Sequence, residues 1–284
     1  LINKLKISLF AVLFAALISP AFAQVVPDGA FTPWLESWNN WAYYETNNSR
    51  VGFSAPVFRS EGKIGFTFND FPVKPYFAYY GAISSDKNYY NNAVYSGVGL
   101  RVQPLQSLSL NNLFLEWVPG TKFFVENLSS SYLADQSSTT YLKNSDFRYG
   151  LDVWHEWNLE DEPQGAWSEM WLQWSQRSTN FSWTEFDNWI LYWQQKFGYH
   201  LPHRLEPYIR IDLTKSGTNE SYLNIVNYGV GVRVEPWRDI QNVNPWIKKF
   251  KMYVEFMTVS YLDKKPANPV SSDVRFGVDF TFGL

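Results

Sequence analysis

The C-terminal residues alternate. Phe276, Val278, Phe280, Phe282 and Leu284 are apolar, whereas Arg275, Gly277, Asp279, Thr281 and Gly283 between them are small or polar. A period of two is the pattern of a strand with one apolar and one polar face, and about ten residues suffice for a tilted strand to cross a bilayer. The same alternation sets Val98, Leu100 and Val102 against Gly97, Gly99 and Arg101. It recurs where Val230, Val232 and Val234 stand against Gly229, Gly231 and Arg233, and where Ile209, Ile211 and Leu213 stand against Arg210 and Asp212. Twelve spans follow, near 34–45, 51–66, 74–83, 93–103, 111–119, 146–157, 167–177, 185–199, 206–215, 222–235, 249–260 and 273–284. The predicted fold is all-β: a transmembrane antiparallel β-barrel of about 12 strands, an even number as in single-chain bacterial barrels. Closure would also remove the open sheet edges.

The spans fall into two tandem sets of six. Trp34, Glu36, Trp38 and Trp41 recur as Trp167, Glu169, Trp171 and Trp174, an offset of 133, and Lys63-Ile64-Gly65-Phe66 recurs at the same offset as Lys196-Phe197-Gly198-Tyr199. Pro75-Tyr76 matches Pro207-Tyr208, and Gly97 to Pro104 matches Gly229 to Pro236. Each copy closes with one strand type, Asp146 to Asp152 and Asp273 to Asp279. A unit this long is no solenoid repeat, and it predicts two halves of one closed object, about 33–157 and 166–284. With a periplasmic N-terminus, the loops after strands 1, 3 and 5 of each half face outward. Pro119 to Ser145, rich in Ser, Thr and Asn, is expected to be the longest of them, against Leu262 to Ser272 in the second half.

Residues 1–23 read as a signal peptide, with Lys4 and Lys6 before an apolar Ile7 to Ile18 and the small-x-small site Ala21-Phe22-Ala23. The barrel domain is then 24–284. Losing Lys4 and Lys6 takes the formal net charge from −3 to −5, which argues against nucleic acid as a partner. The chain has no Cys, so disulfides do not hold an exported fold together. Aromatic residues are 19% of the chain, with 14 Trp and 18 Tyr, which suits the interfacial girdles of an outer-membrane barrel. A soluble glycan-binding β protein is the competing class.

The second copy carries a family resemblance. Its Trp-rich strands at 167–199, Leu205-Glu-Pro-Tyr208, and Tyr222 leading to Gly229-Val-Gly-Val-Arg-Val-Glu-Pro-Trp237 resemble the C-terminal barrel domain of phage-adsorption protein A (NfrA-like). The likeness spans roughly 75–260. It implies a bacterial outer-membrane protein linked to exopolysaccharide export that serves phages as a receptor. Family members carry helical periplasmic repeats ahead of the barrel, and this chain has none between Gln24 and the first strand. An export role would need a separate periplasmic partner. The last strand also resembles the C-terminal assembly signal of such barrels, with Leu284 in place of their terminal Phe or Trp.

The alternation sends Arg101, Arg148, Asp152, Arg233, Glu235, Arg275 and Asp279 inward, and Glu36 and Glu169 join them with Trp38 and Trp171. Charges away from bulk water need partners. The first expectation is therefore a network across strands, with Arg148 and Asp152, like Arg275 and Asp279, on neighbouring levels of the wall. The second is a saccharide path, because sugar rings stack on indoles while charged groups exchange hydrogen bonds with hydroxyls. The expected partners are outer-membrane lipid and a saccharide polymer. Alternatives are a small-solute porin and an outer-membrane lipid hydrolase, the latter needing a Ser beside His155 on the outer wall. No metal site or cofactor is expected. His200-Leu-Pro-His203 offers two ligands in a turn, and no nucleophile elbow or His-Glu-x-x-His pattern occurs.

Overall fold

The computed structural model describes residues 31–46, 54–68, 72–85, 91–110, 112, 115–133, 142–158, 164–181, 186–237, 249–263, 265–267 and 269–283. The expected signal peptide, residues 1–23, lies outside them. The described residues form β1 (Phe31–Thr46), β2 (Ser54–Phe68), β3 (Lys74–Ser84), β4 (Ala93–Val102), β5 (Lys122–Tyr132) and β6 (Leu142–Asn158), then β7 (Gly165–Phe181), β8 (Phe186–His200), β9 (Leu205–Ser216), β10 (Ile225–Val234), β11 (Lys251–Tyr261) and β12 (Ser272–Gly283). Each strand pairs antiparallel with its sequence neighbours, and β1 pairs with β12 from Glu36↔Gly283 to Thr46↔Asp273. The sheet is a closed barrel with no free edge.

Side-chain parity fixes inside and outside. On β11, Glu255 is 1% exposed and its neighbour Phe256 is 58% exposed, and the alternation continues through Tyr253 and Met257 inward and Met252 and Val254 outward. On β10, Val230 and Val232 are exposed while Arg233 between β9 and β11 is buried. An apolar outer wall around a charged interior is the arrangement of a bacterial outer-membrane barrel. In a hydrocarbon surround only closure leaves every backbone group of a sheet paired.

Two glycines show how large rings fit inside. The Trp34 indole lies against Gly65, where a Cβ would sit 2.5 Å from its Cζ2, and Trp167 lies against Gly198, where the same distance is 2.3 Å. Any side chain there would displace the ring from the wall.

One expected span is corrected. The described residues of the 111–119 span, 112 and 115–119, are not in a strand; the fifth strand is Lys122–Tyr132, inside the stretch expected to be the longest outer loop. Its serines concealed it. Ser129 and Ser131 point outward and Ser130 inward, and the register Ala93↔Tyr132 to Val102↔Phe123 holds all of them in the sheet. Strands β4 and β10 end, and β5 and β11 begin, at the rim where β1 begins and β12 ends.

Candidate functional site

The lumen holds two charge networks. In the first, Arg101 Nη1 and Lys122 Nζ donate to Glu36 Oε1 at 2.8 and 2.9 Å, while the Arg101 guanidinium lies over the Trp34 ring. Glu126 is fully buried and accepts from Tyr76 Oη at 2.7 Å and Tyr80 Oη at 2.8 Å. Lys63 Nζ sits 3.5 Å from Asp152 and 3.8 Å from Glu126. Arg148 Nε is 3.3 Å from both Glu126 and Asp146, as ion pairs without hydrogen-bond alignment.

The second network repeats these contacts with other numbers. Arg233 binds Glu169 and Glu206 and lies over Trp167; Lys251 Nζ donates to Glu169 at 2.9 Å. Glu255 accepts from Tyr208 Oη at 2.7 Å and from Arg210 Nη1 at 2.7 Å. Arg275 reaches Asp273 at 2.5 Å, Asp212 at 3.5 Å and Glu255 at 3.8 Å. Glu235, just past β10, closes the network against Arg233 and Lys251 at 3.5 and 3.3 Å. Buried ions hold their charge only in such mutual company, since each alone would carry an uncompensated desolvation cost of several kcal/mol.

All eleven expected residues, Glu36, Trp38, Arg101, Arg148, Asp152, Glu169, Trp171, Arg233, Glu235, Arg275 and Asp279, therefore face the interior, but not every expected pairing forms. Arg148 pairs with Asp146 and Glu126, not Asp152, and Arg275 pairs with Asp273, Asp212 and Glu255, not Asp279. The reason is strand rise: residues four apart stand about 13 Å apart along the strand, while residues two apart on one face are neighbours. Asp152 instead takes Lys63 and the Trp171 indole, and Asp279 takes Asn40 Nδ2 at 2.6 Å. The acids at the centre of each network, Glu126 and Glu255, escaped the sequence reading. So did Lys63 and Lys196, although both lie in the repeated Lys-x-Gly motif whose parity places them inside.

The two indoles differ in their surroundings. Trp171 Nε1 donates to Asp152 Oδ1 at 3.0 Å, and the ring stacks on Tyr192 with centroids 6.1 Å apart and planes 8° apart. Trp38 has neither contact. It faces the lumen from the middle of β1 yet is 36% exposed, so open space lies in front of it.

No protein-family model matches the chain, and neither does any curated protein. Among solved structures it is similar to the NanC porin, at 10% identity and a TM-score of 0.40 over 86% of this chain and 98% of that one. It is also similar to an anion-selective porin from Comamonas acidovorans, at 11% identity and 0.36 over 89% and 99%. The translocator domain of the autotransporter NalP from Neisseria meningitidis matches at 9% identity and 0.30 over 98% of each chain.

The outer wall carries polar groups as well. Ser60 Oγ donates to Asn39 Oδ1 at 2.7 Å, Asn39 Nδ2 donates to Ser37 Oγ at 3.0 Å, and Ser37 Oγ meets Tyr79 Oη at 3.1 Å. His155 also faces outward, beside Trp157 and with Nε2 3.8 Å from Glu116. Its Nε2 has no hydrogen-bond partner, so the Ser-His contact a lipid hydrolase requires is not formed there among the described residues. His200 donates to or accepts from Glu206 at 2.8 Å, and among the described residues no cluster of His, Asp or Glu is placed to hold a metal.

Proposed function

We propose that this barrel is an outer-membrane channel that passes a saccharide chain. One observation carries the reading: the inward Trp38 is 36% exposed, and the Glu36 side chain two residues below it is 41% exposed. Space therefore remains between the networks, and an indole and a carboxylate border it. An indole face covers the C–H side of a sugar ring, and carboxylates and guanidinium groups exchange hydrogen bonds with its hydroxyls.

The likeness of 75–260 to the barrel of phage-adsorption protein A supports export as the direction and an exposed surface that phages could use. A separate periplasmic partner would meet the rim where β1 begins and β12 ends. The matched Trp34–Arg101 and Trp167–Arg233 stacks, and the matched Glu36–Lys122 and Glu169–Lys251 bonds, support descent of both halves from one six-strand unit.

Purified barrel in planar bilayers tests the channel. Discrete conductance steps interrupted by added oligosaccharide are expected, together with less secreted polysaccharide from a deletion strain. Conductance that ignores every oligosaccharide would favour a general small-solute porin, and a barrel closed to ions would defeat the channel reading.

A further inference from the structure

The two halves share a frame of lumenal charges, among them Glu36 with Glu169, Lys63 with Lys196 and Arg101 with Arg233, and they differ around their two inward indoles. Tyr192, whose ring covers Trp171, corresponds at the offset of 133 to Arg59. Gln194, the cross-strand partner of Trp171, corresponds to Glu61, the cross-strand partner of Trp38. Asp152, which holds the Trp171 indole N–H, corresponds to Asp279, which is occupied by Asn40. The first and third of these differences give the second indole a stacked ring and an acceptor that the first lacks.

The first indole's side is also where charge stands unpaired. Directly opposed residues of an antiparallel pair have Cβ atoms about 5 Å apart, so Glu61 stands beside the Trp38 ring on the same face. Among the described residues Glu61 makes no hydrogen bond or ion pair. Arg59, two residues along the same face, donates Nη1 to Tyr44 Oη at 2.8 Å and has no carboxylate partner. Lys63, on the other side of Glu61, is taken up by Asp152 and Glu126. Beside Trp38 the wall thus carries, on one face of β2, an acid without a hydrogen bond or ion pair among the described residues and a guanidinium without a carboxylate.

We infer that Trp38, Glu61 and Arg59 form a binding subsite for a neutral pyranose unit and that the second half has no such subsite; this rests on the saccharide-channel reading. The indole covers the apolar face of the ring. The carboxylate accepts from ring hydroxyls, and the free N–H groups of Arg59 donate to hydroxyl or ring oxygens. The two fixed charges cancel, so a neutral sugar satisfies both, whereas an acidic sugar meets Glu61 and a basic one meets Arg59.

The test uses the full-length barrel in planar bilayers and, in parallel, in lipid nanodiscs, with cellohexaose, isomaltohexaose and chitohexaose as probes. Current-block dwell times and equilibrium binding by saturation-transfer NMR are read for wild type, Trp38→Ala, Glu61→Gln and Trp171→Ala. We expect at least one hexaose to bind. Trp38→Ala and Glu61→Gln should shorten its block at least tenfold, while Trp171→Ala changes it less than twofold and lowers the melting temperature. Equal effects of Trp38→Ala and Trp171→Ala, or none from Glu61→Gln, would overturn the subsite while leaving the channel intact. Hexaose binding that depends on Trp38 in a barrel without conductance would sustain the subsite and end the channel reading.

Discussion

Arg101 places its guanidinium carbon 3.6 Å from the centre of the Trp34 ring while its Nη1 donates to Glu36 at 2.8 Å. One side chain thus uses a planar face for stacking and an edge for a carboxylate, a combination that an ammonium group cannot reproduce. Arg101→Lys should therefore lose about 1–2 kcal/mol through the desolvated stack while keeping the charge. Arg101→Ala should lose more, because it removes the stacked side chain altogether and takes one of two cations from the part-exposed Glu36. Denaturant unfolding of the barrel in lipid measures both. Equal losses would show that the retained charge contributes nothing and the planar stack carries the effect, whereas an undiminished Arg101→Lys would show that the charge alone matters. The same pair of substitutions at Arg233, 3.8 Å above Trp167, provides an internal replicate.

The lipid-facing assignment makes its own prediction on β11. Phe256 is exposed on the outer wall near the strand centre, and Phe256→Arg should cost about 2–4 kcal/mol and reduce recovery in the outer-membrane fraction. Val254→Leu on the same face should be neutral. If Phe256→Arg assembled in full yield with native heat-modifiable migration, the outward direction of this wall would be wrong.

Parity made most of this fold legible, and parity also explains the failures. Strands such as β10 and β12 announce themselves because lipid demands an apolar residue at every second position. Strand β5 carries Ser129, Ser130 and Ser131 in sequence, so its outer half loses the apolar signal although its inner half, Phe124, Glu126 and Leu128, keeps the strand period. The lumenal networks were legible in part through the repeat, which singled out Arg101 with Arg233 and Glu36 with Glu169. Glu126 and Glu255 were harder, because each looks like a solvated acid until Tyr76, Tyr80 and Tyr208 are seen to converge on them. Glu61 and Arg59 have no counterparts in the repeat, and they matter because Gln194 and Tyr192 stand in their places.

Polar residues on the outer wall survive because they satisfy one another. Asn39 is 1% exposed and links Ser60 to Ser37, which in turn meets Tyr79. Asn39→Leu should cost about 1–3 kcal/mol by leaving two serine hydroxyls without that partner. Adding Ser37→Ala and Ser60→Ala to it should recover part of the loss, because the orphaned serine hydroxyls are then gone and only Tyr79 Oη loses its partner. Unfolding midpoints of the single and triple variants decide this, and a triple variant weaker than the single one would mean that the site is held by something other than mutual satisfaction.

Tyr44 and Arg59 sharpen the case for unequal halves. In the first half the arginine on β2 lies 5.3 Å from the β1 tyrosine ring; in the second, Arg177 on β7 lies 5.5 Å from Tyr192 on β8. Positions 44 and 177, like 59 and 192, differ by the offset of 133, so the same pair is present with its members exchanged. Tyr44→Arg alone puts two guanidinium groups together, and Arg59→Tyr alone leaves two phenols, whereas the double exchange restores the pair in the orientation the second half already uses. The double variant should be more stable than the two single losses predict by roughly 0.5–3 kcal/mol, the range for residues in direct contact. It should also bring a tyrosine ring to the place from which Tyr192 covers Trp171, closing the face of Trp38. A barrel of near-native stability that has lost its oligosaccharide block is therefore the expected result. Retained block in a stably folded double variant would show that the open indole is not what the sugar uses.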